Sequence, residues 1–524
     1  MKTKILCMAL CLLAWPVAVC AAPDLPAAPE LAFSAKVGAS FASVDVLISL
    51  DSFDHPSIYY LALAEGAAPD AEMILAYADG RLTAGLENGR AVRGHWIASS
   101  RYNGRAFSLS GGENIKNIPG EEGFVDGSVY DIYMVAVDRG GRYSNVACAR
   151  DIMAMPFEGV EGGSFVIGDG HQLANIRRLG GEFLAGSYVL ASDIDLRGYE
   201  NWPPITGFSG SFDGRGHRII NLRGQSGLFG SLTGAFVQNL NIVGAEIRSQ
   251  SGPAGVLAGS IFADTIIVDC YVDGNVYGTR GTGVFAGTVQ GSEIPENANH
   301  SIKIVRCRTS GTVEARGGMT GGFVGSMAYA AIDACDADVD VRAAGDDAGG
   351  FVGRITHRSR ITYSRACGDV ENIRGRQTGG FVGILTHGSG IEFSFSAGDV
   401  RGERDVGGFA GAVAAPGAPN TLFGCLSFAR WICGEDYIGR LAGRLDHDGV
   451  NNCYAYLGTV VADSRALRHV LPNAYGPDGG DFNCQTLDGI LKRIGWDISV
   501  NNVREGRRLP YESEDQLPRE RMSA

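Results

Sequence analysis

The sequence predicts an all-β fold in which a stacked β-solenoid follows a smaller β-sandwich. A glycine-flanked apolar phrase recurs along the chain, with its central bulky residue at positions 229, 257, 285, 323, 351, 381, 409 and 441. The steps of 28 to 38 residues between these positions are typical of a stacked repeat. The 76 glycines, with only 18 prolines and no collagen period, suit the tight turns that such a repeat needs.

The N-terminus predicts an export signal over residues 1–22. Lys2 and Lys4 precede an apolar run from residue 5 to 19, which is too short to span a membrane as a mature helix. Lipid attachment at Cys20 is less favoured, because valine occupies a place before it where lipoprotein signals carry Gly or Ala. We therefore expect a secreted or cell-surface protein with no transmembrane segment. The net charge of -13 argues against a nucleic-acid partner.

Short alternating runs predict a β-sandwich over residues 31–155, after a Pro- and Ala-rich linker at 23–30. The run from Tyr130 to Asp138, followed by the turn residues Gly140 and Gly141, resembles the late strands of fibronectin type III modules. This resemblance implies an immunoglobulin- or fibronectin-like sandwich. Another small all-β domain is the alternative.

Specific motifs open the repeat region. They are Asp193-Ile194-Asp195-Leu196, Trp202-Pro203-Pro204-Ile205 and the segment from Phe212-Asp213-Gly214 to Gly216-His217. Together with the glycine phrase they resemble the GLUG-motif repeats of bacterial surface proteins, which also occur in the non-catalytic region of immunoglobulin A1 proteases. The resemblance implies a right-handed parallel β-helix over residues 160–462 and a capping segment over 463–512, and the polar residues 513–524 are expected to form a flexible tail. The aspartates are predicted to bond backbone amides in turns rather than to catalyse a reaction.

Each repeat carries a small residue six positions before an apolar strand end. The series is Cys270, Cys307, Cys335, Ser364, Ser394 and Cys425, with Val276, Val313, Val341, Val370, Val400 and Trp431 as the strand ends. Because strand side chains alternate between faces, both series are predicted to point inward. Parallel cysteines on neighbouring rungs suit free buried thiols better than disulfides. No Cys-x-x-Cys pair is present, and no cofactor is predicted.

The alternate positions are predicted to point outward and to form columns. One column contains Asp340, Asp369 and Asp399, whose carboxylates could bind a cation or supply acid and base groups to a polysaccharide-cleaving enzyme. A solvated acidic strip is the simpler interpretation. Another column contains Arg365 and Phe395, which are candidate binding residues, and its charged members are expected to form ion pairs.

A third column places His357 and His387 at equivalent turn positions, with His447 further along. These imidazoles could bind a ligand or a metal ion. Stacked turn residues without a function are the favoured interpretation.

Several catalytic motifs are absent from the sequence, including His-Glu-x-x-His, Gly-x-Ser-x-Gly and a phosphate-binding loop. The favoured hypothesis is a non-enzymatic exported repeat protein whose β-helix face binds an extracellular glycan or a host or matrix protein. A polysaccharide lyase or glycoside hydrolase is the first alternative, and a structural stalk is the second. The sequence leaves the oligomeric state open.

Overall fold

The computed structural model describes residues 30–50, 57–63, 68–78, 91–97, 106–109, 123–293, 300–414, 419–446, 449–463, 476–483 and 485–495. The predicted signal peptide, nearly all of the linker, the tail and part of the capping segment lie outside the described residues. The chain divides into two compact units, Met1–Leu179 and Gly180–Ala524.

The first unit contains two antiparallel sheets. Their strands are β1 (Leu31–Val37), β2 (Val44–Leu50), β3 (Ser57–Leu63), β4 (Ala91–Ile97), β5 (Ala106–Leu109), β6 (Val129–Val137) and β7 (Ala147–Met153). The strand orders are β1-β2-β5 and β4-β3-β6-β7. Alternate residues such as Val46 on β2 and Ile132 on β6 are fully buried in one shared core. The alternation seen in the sequence therefore marks the buried face of each sheet.

Two helices accompany these sheets. Helix α1 (Ala71–Ala78) packs Ile74 and Leu75 on the other face of the four-stranded sheet. A hairpin of Gly159–Glu161 and Ser164–Ile167 precedes α2 (Gly170–Leu179). The side chains of His171, Asn175 and Arg178 on α2 all contact the buried carboxylate of Asp126. This network holds α2 against the turn that precedes β6.

The second unit is a parallel β-helix, as the sequence predicts. Its first sheet is built from Ser187–Leu190, Ser211–Asp213, Phe236–Gln238, Ile266–Val268, Ile302–Val305, Ala330–Asp333, Arg360–Thr362, Gly390–Glu392, Thr421–Phe423 and Val450–Asn451. Its second sheet contains Ile194–Asp195, Arg218–Ile220, Arg223–Gly224, Asn241–Arg248, Tyr271–Gly278, Arg308–Ala315, Asp336–Ala343, Arg365–Ala366, Val370–Asn372, Phe395–Ser396, Val400–Arg401, Leu426–Ser427, Trp431–Gly434, Tyr454–Tyr456, Val460–Asp463 and Gly480–Phe482.

The remaining strands of the β-helix form two further sheets. The third sheet contains Phe229–Thr233, Ala258–Phe262, Ala286–Gln290, Val324–Ala328, Val352–Thr356, Val382–Leu385, Ala410–Val413 and Ala442–Leu445. A short fourth sheet contains Thr320–Gly321, Ala348–Gly349, Arg376–Gly379, Arg404–Gly407 and Asp436–Gly439. Each strand pairs with its equivalent in the next coil, so equivalent side chains form columns along the axis.

The bulky residue of the glycine phrase is a core residue. Phe285, Phe323, Phe351, Phe381 and Phe409 are fully buried and stack face to face, with ring centroids 4.5–4.8 Å apart and planes within 11°. A side chain on the glycine before each phenylalanine would have no space. A Cβ at Gly350, for example, would collide with the carbonyl oxygen of Gly380 in the next coil. The glycines therefore allow the coils to approach at strand-pairing distance.

The corner between the first and second sheets uses one left-handed residue per coil. Ala334, Tyr363 and Phe393 occupy this corner with φ of 52°, 48° and 46°. Non-glycine residues seldom adopt this conformation, so neighbouring groups must stabilise it. The small inward residue that follows each of them supplies this stabilisation.

The column of cysteine and serine is a hydrogen-bonding column. The Sγ of Cys335 and the Oγ of Ser364 each donate to the carbonyl two residues earlier, at 3.3 and 2.9 Å. Each also accepts the backbone N–H of the preceding coil, as Ser364 does from Cys335 at 3.2 Å. All eight described cysteines are free thiols. Burial raises the pKa of the Cys307 thiol, which keeps it protonated and able to donate.

The predicted register is wrong at the last complete repeat. Val400 pairs with Ile432, and Ile432 is buried, whereas Trp431 is 45% exposed. Seven residues separate Cys425 from Ile432, but six separate Ser394 from Val400. One extra residue reverses the face that each later side chain occupies, so Trp431 points outward instead of inward.

Helix α3 (Leu487–Ile494) covers part of the second sheet near its end. Its residues Leu487, Ile490, Leu491 and Ile494 pack on Phe395, Leu426, Phe428, Tyr454 and Phe482. The outward exposure predicted for Phe395 is therefore wrong, because only 3% of its surface is exposed. The periodicity placed Phe395 on the outer face correctly, but the chain returns and buries that part of the face.

We predict that serine replaces cysteine at the inward corner with little loss. Cys335→Ser keeps both hydrogen bonds, as Ser364 does in the next coil, so the free energy of unfolding should change by less than about 1 kcal/mol. Cys335→Ala leaves a buried carbonyl and a buried N–H without that partner and should cost about 1–3 kcal/mol. Denaturant unfolding of the two variants tests this. Equal destabilisation by serine and alanine would show that the thiol only fills space.

Candidate binding face on the second sheet

The three candidate aspartates lie on neighbouring rungs of the second sheet. Asp340, Asp369 and Asp399 directly precede Val341, Val370 and Val400, which pair in register. All three aspartates are exposed on the outer face. The acidic column expected from the sequence is therefore present, with its members roughly 4.8 Å apart at the backbone.

The aspartate side chains bond the backbone of the next coil. Asp340 accepts the N–H of Asp369 at 3.0 Å, and Asp369 accepts the N–H of Asp399 at 2.8 Å. Asp399 accepts the N–H groups of Arg430 and Trp431 at 3.2 and 3.0 Å. The strands of the later coils are interrupted around Asp369 and Asp399, so the carboxylates satisfy amides that the interrupted pairing leaves. These bonds favour the structural interpretation of the column.

A second outward column runs two residues further along the strands. Its members are Arg248, Tyr277, Glu314, Arg342, Glu371 and Arg401, which pair rung by rung. Their charges largely alternate, with Arg342 3.8 Å from Glu314 and Arg401 3.5 Å from Glu371. The Arg248 guanidinium lies 4.0 Å from the centre of the Tyr277 ring. The sequence analysis missed this column. It could have been found, because every second residue of a strand points to the same face and these residues lie two positions after the aspartate column.

A groove of about 840 Å³ opens along this second column. It is bordered by this column from Arg248 to Glu371 and by Arg316 and Ile373, and Ile373 is strongly exposed. Beyond Asp399, Trp431 continues the aspartate column. We call these two adjacent columns, with Trp431, the binding face. It offers carboxylates, guanidinium groups and an aromatic ring on one rigid surface.

The other candidates lie elsewhere. Arg365 is half-buried and ion-paired, with its Nε 2.7 Å from Asp336, as the predicted pairing requires. Arg308 pairs with the same carboxylate from the opposite side at 3.5 Å. Phe395, the next member of this column, is covered by α3 and cannot contact a ligand from solution.

The two histidines form an exposed stack at the corner between the third and first sheets. The rings of His357 and His387 lie 4.9 Å apart with planes 5° from parallel. The Oγ1 of Thr356 is 2.8 and 3.0 Å from their Nδ1 atoms, so one hydroxyl contacts both rings. Partial burial, followed by electrostatic repulsion from the His357 ring and the Arg354 guanidinium, lowers the pKa of His387. His447, predicted to extend the stack, lies outside the described residues.

Metal coordination is the other role considered in the sequence for the aspartate column and for the two histidines. Among the residues that the structure describes, no group of three or more His, Cys, Asp or Glu side chains is placed to hold a metal ion. The carboxylates of the aspartate column are engaged by backbone amides, and the two imidazoles share a threonine hydroxyl. Within the described ranges no helix is long and apolar enough to cross a membrane.

The aspartates of the first coil bond backbone amides, as the sequence predicts, although the amide that Asp193 accepts belongs to a strand of the next coil rather than to a turn. Asp193 accepts bonds from the backbone N–H and the guanidinium of Arg218 at 2.8 and 2.9 Å. Asp195 accepts bonds from the Asn221 amide and the Arg197 backbone N–H at 2.8 and 2.9 Å. These hydrogen bonds, followed by the nearby arginine charges, lower the pKa of both carboxyls.

Comparisons with known proteins show similarity to solved structures but to no protein family. No protein-family model and no curated protein matches the chain. The chain is similar to the crystal structure of "a putative immunoglobulin A1 protease from Bacteroides ovatus", with 19% sequence identity and a TM-score of 0.42. The match covers 66% of this chain and 91% of that chain. The resemblance to the GLUG-motif repeats stays a prediction, and the β-helix rests on the strand pairing of this chain.

We predict that the first-coil aspartates make the β-helix sensitive to acid. A pKa lowered below the ordinary value of about 3.9 means that ionisation stabilises the fold above that pH. This stabilisation is lost as the pH falls through the lower folded-state pKa. The double variant Asp193→Asn/Asp195→Asn should be less stable than the parent at pH 6, and the difference should shrink toward pH 3. Urea unfolding of the parent and the double variant at pH 6 and at pH 3 measures the difference in the free energy of unfolding at each pH.

Asp338→Asn is the matched control, because the side chain of this exposed aspartate forms no hydrogen bond or ion pair with the described residues. Its effect on the free energy of unfolding should be close to zero at every pH. A difference between the double variant and the parent that stays constant from pH 6 to pH 3 would contradict the proposed electrostatic role.

Proposed function

We propose that the protein is an exported, non-enzymatic repeat protein that binds an extracellular glycan on the binding face of its β-helix. The single observation that carries the proposal is the arrangement of this face. Carboxylate and guanidinium groups recur on successive rungs beside an open groove and an outward tryptophan. A long row of fixed polar groups suits a polymeric ligand with repeated hydroxyl groups, and a stacked repeat supplies such a row naturally.

The aspartate column supports binding rather than catalysis. A glycosidase needs one carboxylic acid and one carboxylate on opposite sides of the scissile bond, with different environments. Asp340, Asp369 and Asp399 occupy equivalent positions on the outer face of the second sheet, and each uses one oxygen to accept a backbone N–H. In the column beside them, Glu314 and Glu371 form ion pairs with Arg342 and Arg401 at 3.8 and 3.5 Å, respectively.

The first unit is proposed to act as a spacer or second module of the fibronectin type III kind. Two features support this assignment. The sheets contain three and four antiparallel strands, which is a sandwich arrangement. In addition, the Tyr130 hydroxyl near the start of β6 accepts the N–H of Val125 at 3.0 Å. A tyrosine that bonds backward to the chain at this point is a known device of such sandwiches.

Export to the cell surface or the medium is the third part of the proposal. It is supported by the basic and apolar leader in the sequence. The net charge of -13 suits a glycan or protein partner better than a nucleic acid. No cofactor is required.

We predict glycan binding without cleavage. Purified mature protein applied to a glycan array should bind a restricted set of glycans, and the same glycans in solution should release no reducing ends over hours. Asp338→Ala, on the same sheet outside the two columns, is the control and should bind normally. Release of reducing ends that disappears in Asp369→Ala or Asp399→Ala would overturn the proposal in favour of a glycoside hydrolase or lyase.

A further inference from the structure

We propose, building on the function above, that Trp431 is the central contact for an uncharged, extended polysaccharide lying parallel to the axis of the β-helix. In this arrangement one sugar ring stacks on the indole. Asp399 and Arg401 bond its hydroxyl groups, and the following sugars continue along the aspartate column.

The position of Trp431 is fixed by the backbone rather than by side-chain packing. The extra residue of its coil forces the indole outward, and the Trp431 N–H is anchored to the Asp399 carboxylate at 3.0 Å. The side chain keeps 45% of its surface exposed. Burying that apolar surface on a ligand is favourable, at roughly 25 cal/mol per Å². The ring also loses little conformational freedom on binding, because only two side-chain torsions have to be fixed.

The neighbours of Trp431 provide the polar part of the site. Asp399 occupies the preceding rung of the same column, and its second oxygen accepts no hydrogen bond from the described residues. The Arg401 side chain is 72% exposed and pairs only loosely with Glu371, at 3.5 Å. On the other side of the indole, Val460 pairs with Trp431 in the sheet and adds apolar surface. The indole thus lies between a polar rung and an apolar rung.

This combination fits a pyranose ring. Such a ring presents an apolar face of C–H groups, which packs on an indole, and a rim of hydroxyl groups, which both donate and accept hydrogen bonds. Carboxylates accept from these hydroxyls and guanidinium groups donate to them. Hydrogen bonds to charged groups are the stronger kind.

The direction of the ligand follows from the rung spacing. Asp340, Asp369 and Asp399 lead away from Trp431 along the axis at roughly 4.8 Å intervals. This interval is close to the length that one pyranose unit adds to an extended chain. A polysaccharide laid along the axis therefore meets one carboxylate for each sugar, whereas a chain laid across the strands meets only one rung.

The charge of the face selects against acidic ligands. The binding face carries five carboxylates, three of them in the aspartate column beside the indole, against the three guanidinium groups of Arg248, Arg342 and Arg401, and the whole protein carries a net charge of -13. Uronate or sulfate groups laid along this column would face carboxylates at every rung, which disfavours them. The inferred ligand class is therefore an uncharged, extended glycan.

The test uses the parent protein, three variants and two classes of probe. The full mature protein, Trp431→Ala, Trp431→Phe and Tyr437→Ala are titrated with neutral β-1,4-linked oligosaccharides (cello-, xylo-, manno- and chito-) and with oligogalacturonates, and binding is followed by calorimetry. Tyr437 is the matched control, because it is 58% exposed and belongs to the short fourth sheet rather than to the binding face. Thermal unfolding of each variant verifies folding, and Trp431→Phe retains a ring if alanine perturbs the strand.

We expect at least one neutral series to bind, with an affinity that increases with chain length. Trp431→Ala should weaken the affinity for this oligosaccharide at least tenfold, and Trp431→Phe should weaken it less. Tyr437→Ala should leave the affinity unchanged. Equal binding by the parent and Trp431→Ala, or preference for oligogalacturonates, overturns this inference but leaves the proposed glycan binding intact. Failure of every glycan, on the array and in solution, overturns the proposed function and this inference together.

Discussion

Close stacking of the coils is the constraint on which the rest of the β-helix depends. Parallel strands pair only when successive coils approach to roughly 4.8 Å, and at that distance the backbone of one coil leaves no space for a side chain on certain residues of the next. Glycine occupies these places, as at Gly350 and Gly380, and a phenylalanine beside it fills the interior. The phenylalanine rings then stack at the same repeat as the strands.

The same constraint turns each repeated side chain into part of a column. Inside, cysteine and serine bond around a left-handed corner and to the neighbouring coil, so either residue serves. Outside, aspartates use one oxygen to bond the next coil and remain exposed to solvent. The aspartates that look like a catalytic cluster in the sequence are thus distributed along the outer face of the second sheet. Such a surface is better suited to holding a long ligand than to surrounding one bond.

Much of this arrangement follows from the sequence because period and alternation are local properties. They predict the buried phenylalanines, the inward cysteines, the acidic column and the Arg365–Asp336 pair correctly. They fail at Trp431, where one extra residue changes the register, and at Phe395, which α3 covers from a distant part of the chain. The hydrogen bonds of the aspartates to backbone amides could not be predicted, since the interruptions of the second sheet are not marked in the sequence.

The most direct test of the stacking constraint compares alanine substitutions at two glycines in neighbouring coils. Gly350→Ala places a Cβ against the Gly380 carbonyl, whereas a Cβ at Gly390 has no atom nearer than 3.8 Å. Denaturant unfolding of the β-helix should show a loss of roughly 1–3 kcal/mol or more for Gly350→Ala. For Gly390→Ala the change should stay within about 0.5 kcal/mol or be stabilising. Equal free energies of unfolding for the two variants would contradict the account.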